Sequence, residues 1–268
     1  MFVIRRKIGP LLGLGLVVSP TVALAGAWTL DAGTGQASVT GTFSRADQSF
    51  DGNGNVIRTP RYDKFELQGW FEYGATDRLT VIVAPQLQHV DIAPPFEASR
   101  TGLGYTEFGG RYLLFSGTSW VFSAQTTLRL PGTTDKTNPA AIGYTDPEID
   151  MRALFGYSFN VGGWPAFFNL ELAQRFRTGD PPDEFRADVT LGLRPAERWL
   201  ILAQSFNVIS EGAGQGIFFQ SYSYYKLQLS LVYELTPRWA VQAGAYSTIA
   251  GSNAIQENAL VLGLWYKF

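Results

Sequence analysis

His89 is the only histidine among 268 residues, and there is no cysteine. Any Ser–His or Asp–His site must therefore run through that one imidazole. Thiol nucleophiles, disulfides, thiolate metal sites and a lipid-bearing N-terminal cysteine are excluded together. Asp91 stands two residues after His89, but no second acidic pair accompanies it. One histidine and scattered carboxylates do not make a zinc site. Gly102-x-Gly104 lies in an extended stretch rather than ahead of a helix, so it is not a nucleotide loop. These residues predict no enzyme, no metal and no cofactor.

The other ionisable residues suggest a charged lining instead. They fall at alternate positions, opposite rows of apolar and aromatic side chains. Glu107 and Arg111 oppose Phe108 and Tyr112, and Glu148, Asp150 and Arg152 oppose Ile149, Met151 and Ala153. Glu171, Arg175 and Arg177 oppose Leu170, Leu172 and Phe176, while Arg186 and Asp188 oppose Phe185, Ala187 and Val189. Arg129, Lys226, Glu234, Glu66 and Glu72 follow the same pattern. Side chains of a strand point alternately to its two faces, so neighbouring strands would gather these charges on one surface. That surface reads either as a salt-bridge network narrowing a barrel interior or as a selectivity lining. In the second reading Arg129, Arg152, Arg175, Arg177 and Arg186 draw acidic or hydroxyl-rich solutes.

Twelve extended stretches are needed to position these rows. They run over 36–45, 62–73, 79–88, 104–114, 120–130, 147–159, 166–177, 185–193, 199–210, 222–235, 239–247 and 258–268. Short turns and longer loops alternate between them, as in a barrel with tight periplasmic turns and longer outer loops. Residues 51–60 and 131–144 read as outer loops. Pro85 removes a ladder donor and predicts a bulge or break, a candidate for a side opening. The stretch over 199–210 is apolar on both faces. The last stretch sets Leu260, Leu262, Leu264, Tyr266 and Phe268 on one face, and the chain stops on that phenylalanine. A C-terminal strand ending this way resembles the signal that hands bacterial barrels to their insertion machinery. Leu264, Tyr266 and Phe268 are its expected carriers.

Arg5, Arg6 and Lys7, then a short apolar core, then Ala23-Leu24-Ala25 form a secretory leader. The expected division is a cleaved signal peptide over 1–25 and one barrel domain over 26–268. The formal charge of −2 offers no basic surface for nucleic acid. A soluble sandwich shows the same alternation. The aromatic row ends, the alternating connections, the leader and the terminal phenylalanine favour a transmembrane barrel among outer-membrane lipid.

The hairpin Phe71-Glu72-Tyr73-Gly74-Ala75-Thr76-Asp77-Arg78-Leu79-Thr80-Val81 and the segment Gly102-Leu103-Gly104-Tyr105-Thr106-Glu107-Phe108-Gly109-Gly110-Arg111-Tyr112 together resemble outer-membrane channels related to those of meta-pathway phenol degradation. Ala27-Trp28-Thr29-Leu30 and Leu202-Ala203-Gln204-Ser205-Phe206-Asn207 bring the likeness closer to the XagA-type proteins of loci making a biofilm exopolysaccharide. The resemblance implies a barrel that helps a polysaccharide cross or anchor at the surface, and it supplies no catalytic residues. Outer-membrane phospholipases, also twelve-stranded, place a serine two residues after their histidine, where this chain has Asp91. The expected function is a channel for passage or export of a solute, foremost a biofilm polysaccharide. Trp70, Tyr224 and Trp265 face inward, where gap-filling packing is their first expected role and stacking on sugar rings the second. A passive channel for small hydrophobic or aromatic solutes is the first alternative. A closed barrel acting through its loops is the second.

Overall fold

The computed structural model describes residues 26–141 and 143–268. The expected leader, residues 1–25, lies outside them. The strands are β1 (Gly35–Phe50), β2 (Val56–Thr76), β3 (Leu79–Ala84), β4 (Gln86–Ile92), β5 (Ala98–Leu103), β6 (Thr106–Ser116), β7 (Trp120–Leu130) and β8 (Glu148–Val161). They continue with β9 (Trp164–Arg177), β10 (Glu184–Ala196), β11 (Trp199–Ser210), β12 (Ser223–Glu234), β13 (Trp239–Ser252), β14 (Ala254–Ile255) and β15 (Asn258–Lys267). All pair antiparallel with their neighbours, and β15 returns to β1 from Gln36↔Lys267 to Arg45↔Asn258. Together β3 and β4 make one broken stave, as do β5 and β6, and β14 is a short addition beside β1. The result is a closed 12-strand antiparallel barrel.

The outward face is apolar. Leu67, Phe71, Phe108, Leu128, Met151, Leu172, Leu191, Leu229, Leu231 and Leu262 project from it. In water such a belt would be a liability, whereas hydrocarbon favours it. Closure leaves no unpaired sheet edge, the condition for strands to cross a bilayer. Aromatics gather at the turn end. Trp199 packs on Tyr233 with ring centroids 4.5 Å apart, and Trp239 packs on Tyr266 at 4.4 Å. Tyr266 also stacks on Phe268, which lies over Gly35 where a Cβ would come within 2.3 Å of its ring.

Three expectations needed correction. Residues 56–60, expected in a loop, are ladder: Val56 and Ile57 pair with Phe50 and Ser49. β5 falls between the expected stretches 79–88 and 104–114, and it pairs with β4 from Leu87↔Leu103 to Ile92↔Ala98. Both segments are too polar for a lipid-facing stave because the hairpins rise beyond the membrane. The break at Pro85 is present but bridged. Gly69 N–H donates to the Pro85 carbonyl at 2.9 Å and Gly104 N–H to the Gln86 carbonyl at 2.8 Å. The Gln68 side chain donates to the Gly69 carbonyl at 2.9 Å, the acceptor facing Pro85, and to the Pro85 carbonyl at 3.0 Å, and Gln86 donates to Gln68 at 3.2 Å. Polar side chains thus replace the missing ladder donor, and the wall is closed at this seam.

Candidate functional site

The lumen has a charged wall, an uncharged wall, a floor and a roof. The charged wall is built by β6 to β10. Glu148, Asp150 and Glu184 are almost fully buried there and bind the surrounding guanidinium groups. Arg129 contacts Glu107 at 2.9 Å and also Glu148. Arg152 reaches Asp150 at 2.6 Å and both Glu171 and Asp188 at 3.0 Å. Arg175 binds Asp150 at 2.9 Å, and Arg177 binds Glu148 at 2.7 Å and Glu184 at 3.2 Å. Arg186 contacts Glu184 at 3.3 Å. The register makes this inevitable, since Asp150↔Arg175, Glu148↔Arg177 and Glu184↔Arg175 are direct cross-strand partners. Every arginine of the predicted cluster already holds carboxylates, so the wall is a zipped ladder rather than a bare cationic patch.

Not all predicted lining residues join this ladder. Arg111 forms a separate buried pair with Glu72 at 2.7 Å. Lys226, beside Lys64, binds the buried Glu257 toward the outer end. Glu234 contacts Arg194 at 3.1 Å toward the turn end. Glu257 gave no sequence signal because it lies between two strands, outside any alternating row. Glu184 was missed because the stretch was started one residue late, at Phe185. Facing the ladder, Trp70, Gln86, Gln204, Phe206 and Tyr224 make the uncharged wall of a cavity of about 500 Å³.

The floor comes from the chain start. Residues 26–34 turn up inside the barrel. Ala27, fully buried, donates its N–H to Asn169 Oδ1 at 2.8 Å and accepts from the Ser123 hydroxyl. The Trp28 carbonyl accepts from Arg111 Nη1 at 2.9 Å, and Leu30 N–H donates to Thr80 Oγ1 at 2.8 Å. The Trp28 ring stands edge-on to Phe167 at 6.0 Å and covers Gly156, where a Cβ would come 2.6 Å from it. Beside the segment, Leu200, Leu202, Val232, Ala240 and Trp265 form a buried apolar cluster. That cluster explains why 199–210 is apolar on both faces. Trp265 packs in that floor, a gap-filling role.

The roof is the connection over residues 131–147. Ala140 and Ala141 are buried and Tyr144 lines the cavity. The Tyr105 hydroxyl lies 2.9 Å from both the Gly143 and Asp146 carbonyls. Lys136 clasps the base of the loop through Asp146 at 2.9 Å. Desolvation pushes the Asp146 carboxyl up, but its bonds from Lys136 and Thr145 prevail and hold it below its ordinary 3.8. A depressed carboxyl stabilises above its unfolded value and loses that contribution as pH falls through the folded one. Protection of the amides in 131–147, after correction for the intrinsic exchange rate, is therefore expected to be constant from pH 8 down to about 5 and to fall below about pH 4. Lys136→Ala should lower protection already at neutral pH and flatten that acid-dependent loss, because it removes the contact that holds the carboxyl down.

His89 points away from the lumen, on the outer face of β4. Its Nε2 lies 2.7 Å from Asp91 Oδ2 and its Nδ1 lies 2.6 Å from Thr101 Oγ1. It takes no part in the cavity.

The fold resembles an outer membrane channel from Pseudomonas putida F1, with a TM-score of 0.72 at 15% identity over 92% of this chain and 100% of that one. The NanC porin gives 0.54 at 8% identity over 87% and 100%. The translocator domain of the autotransporter NalP from Neisseria meningitidis gives 0.51 at 12% identity over 88% and 89%. No curated protein sequence matches the chain. An apolar-belted closed barrel of this kind resides in the outer membrane. The family model described as "Putative MetA-pathway of phenol degradation" matches residues 19–264, and the chain belongs to that family of channel-like barrels.

Proposed function

We propose that this barrel is a gated passive channel for small solutes, closed below by residues 26–34 and above by residues 131–147. The observation that carries this reading is a cavity of about 500 Å³ in the barrel interior, lined by Gly143 and Tyr144 of the roof and reaching Arg111, whose guanidinium holds the Trp28 carbonyl. Its size matches a small-molecule site, which runs from about 300 to 1,000 Å³. Passage of a biofilm polysaccharide is the second reading, favoured by the inward Trp70 and Tyr224. Planar-bilayer recording of the refolded protein, with and without residues 26–34, tests the first. Block of the shortened form by oligosaccharide, but not by monosaccharide, would support the second.

The C-terminal row supports assembly rather than passage. Phe268 exchanges both backbone bonds with Gly35, at 2.8 and 2.9 Å, and so completes the closing seam. Removing Phe268 is expected to slow folding into lipid vesicles, read as the band shift of the heat-resistant barrel, without changing the conductance of molecules that insert. Unchanged insertion kinetics would dismiss Leu264, Tyr266 and Phe268 as the insertion signal.

A further inference from the structure

The two walls of the cavity leave specific polar atoms free. Among the described residues, Trp70 Nε1, Arg186 Nε and Asp188 Oδ1 are buried without a hydrogen-bond partner, and all three residues line the cavity. An unpaired buried polar atom is costly, so a solute that satisfies all three is favoured over one that satisfies fewer. Two of these atoms donate and one accepts.

That pattern selects among chemical classes. A carboxylate accepts hydrogen bonds but has nothing to donate to Asp188. An ammonium donates but cannot accept from Trp70 or Arg186. A hydroxyl does both. Long-range charge gives anions no advantage, because Arg129, Arg152, Arg175, Arg177 and Arg186 are each already held by carboxylates. Trp70 belongs to β2, whereas Arg186 and Asp188 belong to β10 on the facing wall. A ring with a single hydroxyl cannot serve both sides at once; a ring with several can. Trp70, Phe206 and Tyr224 also offer aromatic faces to the C–H face of a saturated ring.

The geometry points to a seat for an uncharged polyhydroxylated ring of monosaccharide size, held between Trp70 and the Arg186–Asp188 pair. This rests on the small-solute reading of the cavity, but the test needs binding alone and no current.

Full-length mature protein, refolded in detergent, is titrated with D-glucose, D-glucuronate and phenol by calorimetry. Glucose is expected to bind saturably and more tightly than either of the others. Trp70→Phe keeps the ring and removes its donor, and Arg186→Lys keeps the charge facing Glu184 and removes Nε. Each should weaken glucose roughly fivefold or more, the worth of one hydrogen bond. Variants whose gel mobility still reports a folded barrel are the ones compared. Equal binding of glucose and phenol, tighter glucuronate, no glucose binding, or variants that bind as well as wild type would each overturn the seat. Conductance without glucose binding sinks this inference and leaves the channel reading standing. Glucose binding without conductance in any form does the reverse.

Discussion

A variant lacking residues 26–34 is expected to conduct at least about ten times more current than the full protein. A constriction filled by side chains excludes water and ions altogether, whereas an open polar lumen passes both. The segment is held by individual bonds along its length: Ala27 to Asn169 and Ser123, Trp28 to Arg111, Leu30 to Thr80, Thr29 and Ala32 to Asp77, and Gly33 and Thr34 to Gly74. Each is worth about 1 kcal/mol net, so the segment is seated firmly but can be displaced. The barrel does not need it, because closure runs through β1 and β15 from Gln36 onward. Arg111 would still hold Glu72 and Gln125 after the deletion. The apolar cluster around Trp265 stays, so the opening should appear only on the side where Ser123 and Asn169 were covered. Recording from single molecules in planar bilayers reads the effect. Equal, small currents from both forms would mean that residues 26–34 are not the barrier, and the roof at 131–147 would become the next segment to remove.

What sequence alone reveals here follows from period and register. Alternation exposes the staves because the lipid face rejects charge at every second residue, and Phe108, Tyr112, Ile149 and Leu172 all obey it. The same alternation places Arg152, Arg175 and Glu171 on one surface, but it cannot say that Arg175 lies across from Asp150. That depends on a relative shift between strands set by the turn at 162–163. Residues 56–60 and 98–103 escaped because strands outside the membrane need no apolar row. The plug escaped for a different reason. Ala27 and Leu30 are short of any period, and their partners Asn169, Ser123 and Thr80 are ordinary small polar residues of the inward rows. Only the tertiary fold brings 27 beside 169. Gly156 and Gly74 are traces left in the sequence, glycines where the Trp28 ring and the Asp31 carbonyl leave no space for a side chain.

Arg111→Ala is expected to be the most destabilising single substitution in the lumen, by roughly 3–5 kcal/mol. The arginine and Glu72 are each almost wholly buried, and the guanidinium also bonds Gln125 at 3.1 Å and the Trp28 carbonyl at 2.9 Å. Its removal strands the Glu72 carboxylate with Gln36 as its remaining partner. A buried charge that loses its counter-ion costs far more than the pair contributes over apolar groups of the same shape. Pairing Arg111→Met with Glu72→Gln should therefore recover most of the loss, since no charge is then left unpaired. The two effects of Arg111 separate at this point. Stability, read by equilibrium unfolding from vesicles through tryptophan fluorescence, should return in the double variant. Current should not return to the closed level, because the Trp28 carbonyl still lacks its donor and the plug is held less tightly. A double variant as unstable as Arg111→Ala would mean that shape rather than charge governs this site. A double variant that is stable and fully closed would mean that Arg111 supports the barrel wall and contributes nothing to the gate.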